Sequence, residues 1–158
     1  MKECIKCGSC CSHLRLGDKE VGLTLFPEEI HLFPKSTIRP HLGKGVNEPT
    51  TIFTYQHTEN ICVHLKENLC KVYEYRPLMC RSFPIKVGPK GLTFSPGCKG
   101  FLEIVKNSKM RSRDMEEIQS ALEIAERLYK FHSDLKDNEK KWRYNLINEK
   151  WIPYGTFL

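Results

Sequence analysis

The sequence predicts an α+β fold: a small cysteine-rich metal-binding domain with short strands and helices, followed by a helical C-terminal region. Three observations carry this. Eight cysteines stand at positions 4, 7, 10, 11, 62, 70, 80 and 98, and none follows. Pro and Gly punctuate the chain up to Gly100, whereas neither occurs between Met110 and Pro153. The 158 residues, 40% hydrophobic and 28% charged, suffice for a core without crosslinks and argue against disorder. The expected organisation is a cysteine-cluster domain over 1–105 and a helical extension over 106–158 packing on it.

The first half predicts short elements. Leu14-Arg15-Leu16 reads as a strand ending at Gly17-Asp18. Pro27-Glu28-Glu29-Ile30 is a helix start, since Pro tolerates the first helical position and acidic residues suit the first turn. Pro34 to Pro49, with three prolines and little periodicity, reads as a loop. Ile52–Tyr55 and Ile61–Leu65 read as strands, and Lys66-Glu67-Asn68 turns the chain back into Leu69–Tyr73. Pro77 suits the start of a short helix carrying Met79 and Cys80. Ile85–Val87 and Leu92–Phe94, joined by Gly88-Pro89-Lys90-Gly91, form a hairpin.

Beyond residue 110 the pattern changes. Asp114 caps a helix in which Met115, Ile118, Leu122, Ala125, Tyr129 and His132 recur at spacings of three and four, the stripe of a core or helix seam. A second short helix is expected to carry Trp142, Leu146 and Ile147.

Composition excludes several function classes. No apolar run approaches the ~20 residues that span a bilayer, so no membrane insertion is expected. Met1-Lys2-Glu3-Cys4 lacks the apolar segment of a secretory signal, which predicts a cytoplasmic, reducing location where disulfides are rare. The formal charge of +6 counts cysteines as neutral. Eight thiolates against two divalent ions would lower it by four, to about +2. The basic excess therefore offsets thiolates, and nucleic acid is not the expected partner. Lys106 to Arg113 reads as a solvated basic linker, and Leu42-Gly43-Lys44-Gly45 lacks P-loop spacing. No glycine-rich fingerprint for a nucleotide or methyl donor is present.

The cysteines carry the chemistry. In Cys4-x-x-Cys7-x-x-Cys10-Cys11 each C-x-x-C turn lets two sulfurs converge while loop amides stabilise thiolate charge. Gly8 supplies the backbone freedom such a turn needs. The serial spacing resembles the front of a ferredoxin-type run without its fourth cysteine and proline, and leans toward iron–sulfur over zinc. If the segment is extended, Cys10 and Cys11 point apart and one faces a second centre. Cys62, Cys70, Cys80 and Cys98 come from separate elements, so either two four-thiolate centres or one centre plus free thiols fits. Six histidines form no H-x-x-x-H or H-E-x-x-H pair; His13, nearest the cluster, is best read as structural.

These residues carry a resemblance. Cys4-x-x-Cys7-x-x-Cys10-Cys11, Cys62-x-x-Leu65, Cys70-x-x-Tyr73-x-x-Arg76-Pro77-x-x-Cys80-Arg81-x-Phe83-Pro84 and Cys98 are similar to the YkgJ family. That cysteine-cluster family is described as a zinc- or iron-chelating domain and includes flagellin lysine-N-methylase-like proteins. The resemblance spans roughly residues 4–100 and implies metal ligation by Cys4, Cys7, Cys10, Cys11, Cys62, Cys70, Cys80 and Cys98. It implies zinc or a 4Fe-4S cluster as cofactor and, on a methylase-like reading, a protein substrate. His64 stands where the family more often has an aromatic or aliphatic residue. Arg76 and Arg81 are the expected partners of the thiolates, offsetting their charge; the alternatives are an anionic substrate or acidic side chains. A thiol redox protein, exchanging through Cys10 and Cys11, is the remaining function class.

Overall fold

The computed structural model describes residues 7–15, 19–88, 91–95, 98 and 112–155. It is mixed α+β, with a long helix near the C-terminus. The helices are α1 (Ser9–Ser12), α2 (Leu78–Arg81) and α3 (Ser112–Ser133). The strands are β1 (Leu23–Leu25), β2 (Ile38–Gly45), β3 (Thr51–His57), β4 (Leu65–Lys66), β5 (Leu69–Cys70), β6 (Ile85–Gly88), β7 (Gly91–Phe94), β8 (Lys140–Asn145) and β9 (Lys150–Pro153). Short 3-10 turns cover Pro27–Leu32, Lys35–Thr37 and Tyr73–Tyr75. No helix among the described residues is long and apolar enough to cross a membrane.

The chain forms two compact units, each assembled from two separate stretches. One comprises Met1–His13 with Ile61–Arg127, the other Leu14–Asn60 with Leu128–Leu158. The boundary expected between 1–105 and 106–158 falls within residues 99–111, outside the described residues.

The second unit holds a five-stranded antiparallel sheet in the order β1-β3-β2-β8-β9. On it, Phe53 stacks on Phe131 at 4.7 Å and meets Phe26 edge-on at 6.3 Å. Gln56 is fully buried and satisfied: its amide donates to the carbonyls of Pro40 and Tyr144, and its oxygen accepts from Gly22 N–H. The turn at Pro27 is helical as expected, of the 3-10 type, with the Glu29 carboxylate accepting from Phe26 N–H at 2.9 Å.

Several expectations are corrected. Pro34–Pro49 is not a loop but chiefly β2. Pro40 is accommodated where the β2–β3 register shifts, a bulge that tolerates its missing donor. A Cβ on Gly45 would stand 1.9 Å from the Glu48 carbonyl oxygen, so glycine there permits the close return into β3. Leu14 and Arg15 lie in a turn, bonded to Asn60. Trp142 belongs to a strand and not a helix. Its aromatic neighbours favour sheet, and Asn145 Oδ1 accepts from the amides of Ile147 and Asn148 to turn β8 into β9. Ile61–His64 is irregular, because Cys62 N–H bonds Cys11 O rather than a ladder partner.

The helix expected from Asp114 exists, but a different face is buried. Met115, Leu122 and Tyr129 are exposed, Tyr129 at 75%, while Asp114, Glu117, Ser120, Ala121, Ile124 and Phe131 are buried. Half of the covered stripe is polar, so apolar periodicity pointed one residue away from it. Asp114 is the helix's third residue rather than its cap.

Replacing Phe131 by Ala should cost roughly 3–5 kcal/mol in chemical denaturation. Tyr129→Ala, on the stripe that periodicity favoured, should stay within about 0.5 kcal/mol.

Candidate metal centre

The thiol-bearing segments are held by local backbone geometry. Gly8 takes φ 64° at the start of α1, and its carbonyl accepts from Cys11 and Ser12 N–H at 3.0 Å. A Cβ there would press on Asn68 and Leu65 at 3.2 Å, so the turn rests directly on the β4–β5 hairpin. That hairpin is a two-residue turn with Glu67 and Asn68 both at positive φ, as the right-handed twist of paired strands prefers. It places Cys70 opposite Leu65. Cys62 is tied to α1 through its 2.7 Å bond to Cys11 O. Pro77 opens α2, which carries Cys80.

Five sulfurs gather here. Cys10 and Cys11 Sγ are 3.9 Å apart, and the Cys11 thiol also interacts with those of Cys62 and Cys70. Cys80 feels the charges of Cys10, Cys62 and Cys70. Cys10 and Cys11 therefore share one cluster; the extended geometry that would separate them is replaced by the helical turn Ser9–Ser12. None of the seven described cysteines is joined in a disulfide. Cys7 Sγ lies 2.9 Å from Ser9 Oγ, and Cys98 is buried. Cys4 lies outside the described residues.

The cluster divides its protons unequally. Cys11 is pushed far above the ordinary thiol range by hydrogen bonding with Cys10, Cys62 and Cys70 and by burial. The same interaction lowers Cys10 to about 7 and Cys70 to about 6 against burial, and lowers Cys62 as well. Backbone amides two residues on assist: His64 N–H at Cys62 and Val72 N–H at Cys70. Burial holds Cys80 well above the ordinary value.

Arg76 is the cation of the site. Its guanidinium lies 3.9 Å over the Tyr73 ring and donates to Tyr73 O at 3.1 Å, and its charge favours ionisation of Cys10, Cys70 and Cys80. Arg81 lines a cavity of about 360 Å³ with Arg76, Glu116 and Glu117. The glutamates were not singled out from sequence, and Tyr73 entered only as part of the motif Cys70-x-x-Tyr73-x-x-Arg76, with no role given to its ring. His13 Nδ1 pairs with Ser12 Oγ at 3.0 Å, a structural role. Lys44 lies in β2 and donates to Asp134 O.

The donor set fits a soft metal: thiols from four chain segments, pre-ionised in part, with amide donors on sulfur. Among the described residues no three His, Cys, Asp or Glu side chains stand placed to hold a metal ion as they are. Metal uptake has to displace the Cys11 thiol proton.

Residues 3–99 match the family model CxxCxxCC, described as a "Putative zinc- or iron-chelating domain". No curated protein and no solved structure matches the chain. The matched range contains all eight cysteines and more than half of the chain, and it supports a metal-binding role.

In metal-free protein, thiolate reactivity toward iodoacetamide should show midpoints near pH 7 and 6 for Cys10 and Cys70. In Cys11→Ala both should move up toward the ordinary value of 9.0. These depressed values favour the folded state fully above pH 9.0, and the contribution should drain away as pH falls through about 7 and then 6. Denaturation midpoints of the metal-free protein across that window check the sign.

Proposed function

We propose, on the premise that this chain belongs to the CxxCxxCC family of zinc- or iron-chelating domains, that it is a metal-binding protein whose centre is a closed thiolate site. Its ligands are Cys10, Cys11, Cys62 and Cys70, with Cys80 half-buried alongside. The observation that supports this most is that Cys11 Sγ lies 3.9 Å from Cys10 Sγ while its thiol also interacts with those of Cys62 and Cys70.

The spacing favours a single ion over a cluster. With a Zn–S bond of about 2.3 Å, tetrahedral geometry sets neighbouring sulfurs about 3.8 Å apart, close to the 3.9 Å between Cys10 and Cys11. A 4Fe-4S cluster, with its thiolates on separate irons, spreads them further. Four thiolates around zinc leave no open position for substrate, so the site suits structural stapling or metal retention rather than hydrolysis. The elements it joins are two to four residues long, and metal ligation would contribute directly to their folding. Such a centre carries net negative charge, which Arg76 is positioned to offset.

Metal analysis of protein purified without chelator should give about one zinc equivalent at this site in a colourless solution. Cys62→Ser and Cys70→Ser should lose it, while Cys7→Ser keeps it. A brown protein with acid-labile sulfide would overturn the single-ion reading in favour of iron–sulfur.

A further inference from the structure

Beside the thiol cluster, and independent of any metal, the cavity of about 360 Å³ has an unusual charge pattern. Part of its wall comes from the segment preceding and forming α2, which supplies Glu74, Arg76 and Arg81. The rest comes from the second and third turns of α3, which supply Glu116, Glu117 and Ser120. Arg81 and Glu116 thus share one small cavity without neutralising each other. Among the described residues neither Arg81 nor Glu116 has an ion-pair partner, although both border the same space. Arg76 is fixed on Tyr73 and spends one of its five N–H donors there.

The pattern discriminates between ligand types. A simple anion would meet three carboxylates, and a simple cation two guanidinium groups. A small dipolar ion satisfies both: the arginine forks suit a carboxylate, and the glutamates suit an ammonium. The volume lies at the lower end of small-molecule sites, which matches a compact ligand. We propose that this cavity binds a free α-amino acid, its carboxylate on Arg81 and Arg76 and its ammonium on Glu116. The site is separate from the thiol centre in its ligands and shares only the position of Arg76 with it.

The test is calorimetric titration of the full chain, as purified, with each common L-amino acid in turn. Acetate, methylamine and N-acetyl amino acid amides serve as single-charge and uncharged-backbone probes. At least one amino acid should bind, and the three probes should not. Glu116→Gln and Arg81→Gln should each weaken binding by about 10- to 100-fold, the equivalent of one hydrogen bond to a charged group. Metal content, measured on the same Glu116→Gln sample, should match the parent protein, which separates this site from the thiolate centre. The proposal is overturned if no amino acid binds at millimolar concentration. It is also overturned if acetate or methylamine binds as tightly as any amino acid, or if binding survives both substitutions.

Discussion

Bringing several thiols into contact is the constraint that the rest of the cysteine-bearing unit serves. Ionised sulfurs repel, and burial raises the cost of ionising each one. Here the opposition is met by donors. Cys11 keeps its proton and shares it, amides from His64 and Val72 point at two neighbours, and Arg76 supplies a nearby positive charge. Arg76 in turn needs holding, and the 3-10 turn Tyr73–Tyr75 places the Tyr73 ring and carbonyl where they can do it. The run from Cys70 to Cys80 is therefore one device. It begins and ends on a thiol and carries the compensating charge between them.

Little of this depends on a large apolar core. The segments that present sulfur are a single helical turn, a two-residue hairpin and a four-residue helix. Their conformations are fixed by residues with restricted or unusual backbone preferences: Gly8 and Asn68 at positive φ, and Pro77 ahead of α2. The sheet unit is organised differently. It relies on stacked aromatic rings and on buried polar side chains such as Gln56 that satisfy the backbone where β2 bulges.

The parts of the molecule written in short-range chemistry were legible from sequence. Cysteine spacing pointed to the metal-binding family, proline marked α2, and glycine marked the β6–β7 turn. The parts set by tertiary pairing were not. Nothing local distinguishes Pro40, Gly43 and Gly45 in a loop from the same residues in a bulged strand, because the deciding facts are the close approach of Glu48 and the pairing with β3. Trp142 and Tyr144 carried a β signal that the weaker helical spacing of Leu146 and Ile147 obscured. For α3, hydrophobicity marked the wrong face because Asp114, Glu117 and Ser120 are covered by protein. Buried carboxylates cannot be read from a pattern that assumes polar means outside. Cys11 as the hub was equally hidden: its adjacency to Cys10 suggested divergence until the helical turn brought the two sulfurs together.

Each compact unit is stitched from two distant stretches of chain. No single cut can therefore release either one whole, since a fragment ending anywhere before Ile61 has its first cysteines without their later partners. On the ribosome, Cys7, Cys10 and Cys11 emerge long before Cys62 and wait exposed while all of Leu14–Asn60 is made. Drawing the ends of that loop together costs on the order of 3 kcal/mol in chain entropy. The nascent protein thus passes through a window of open, reactive sulfur, and its yield should depend on how reducing its surroundings are during synthesis.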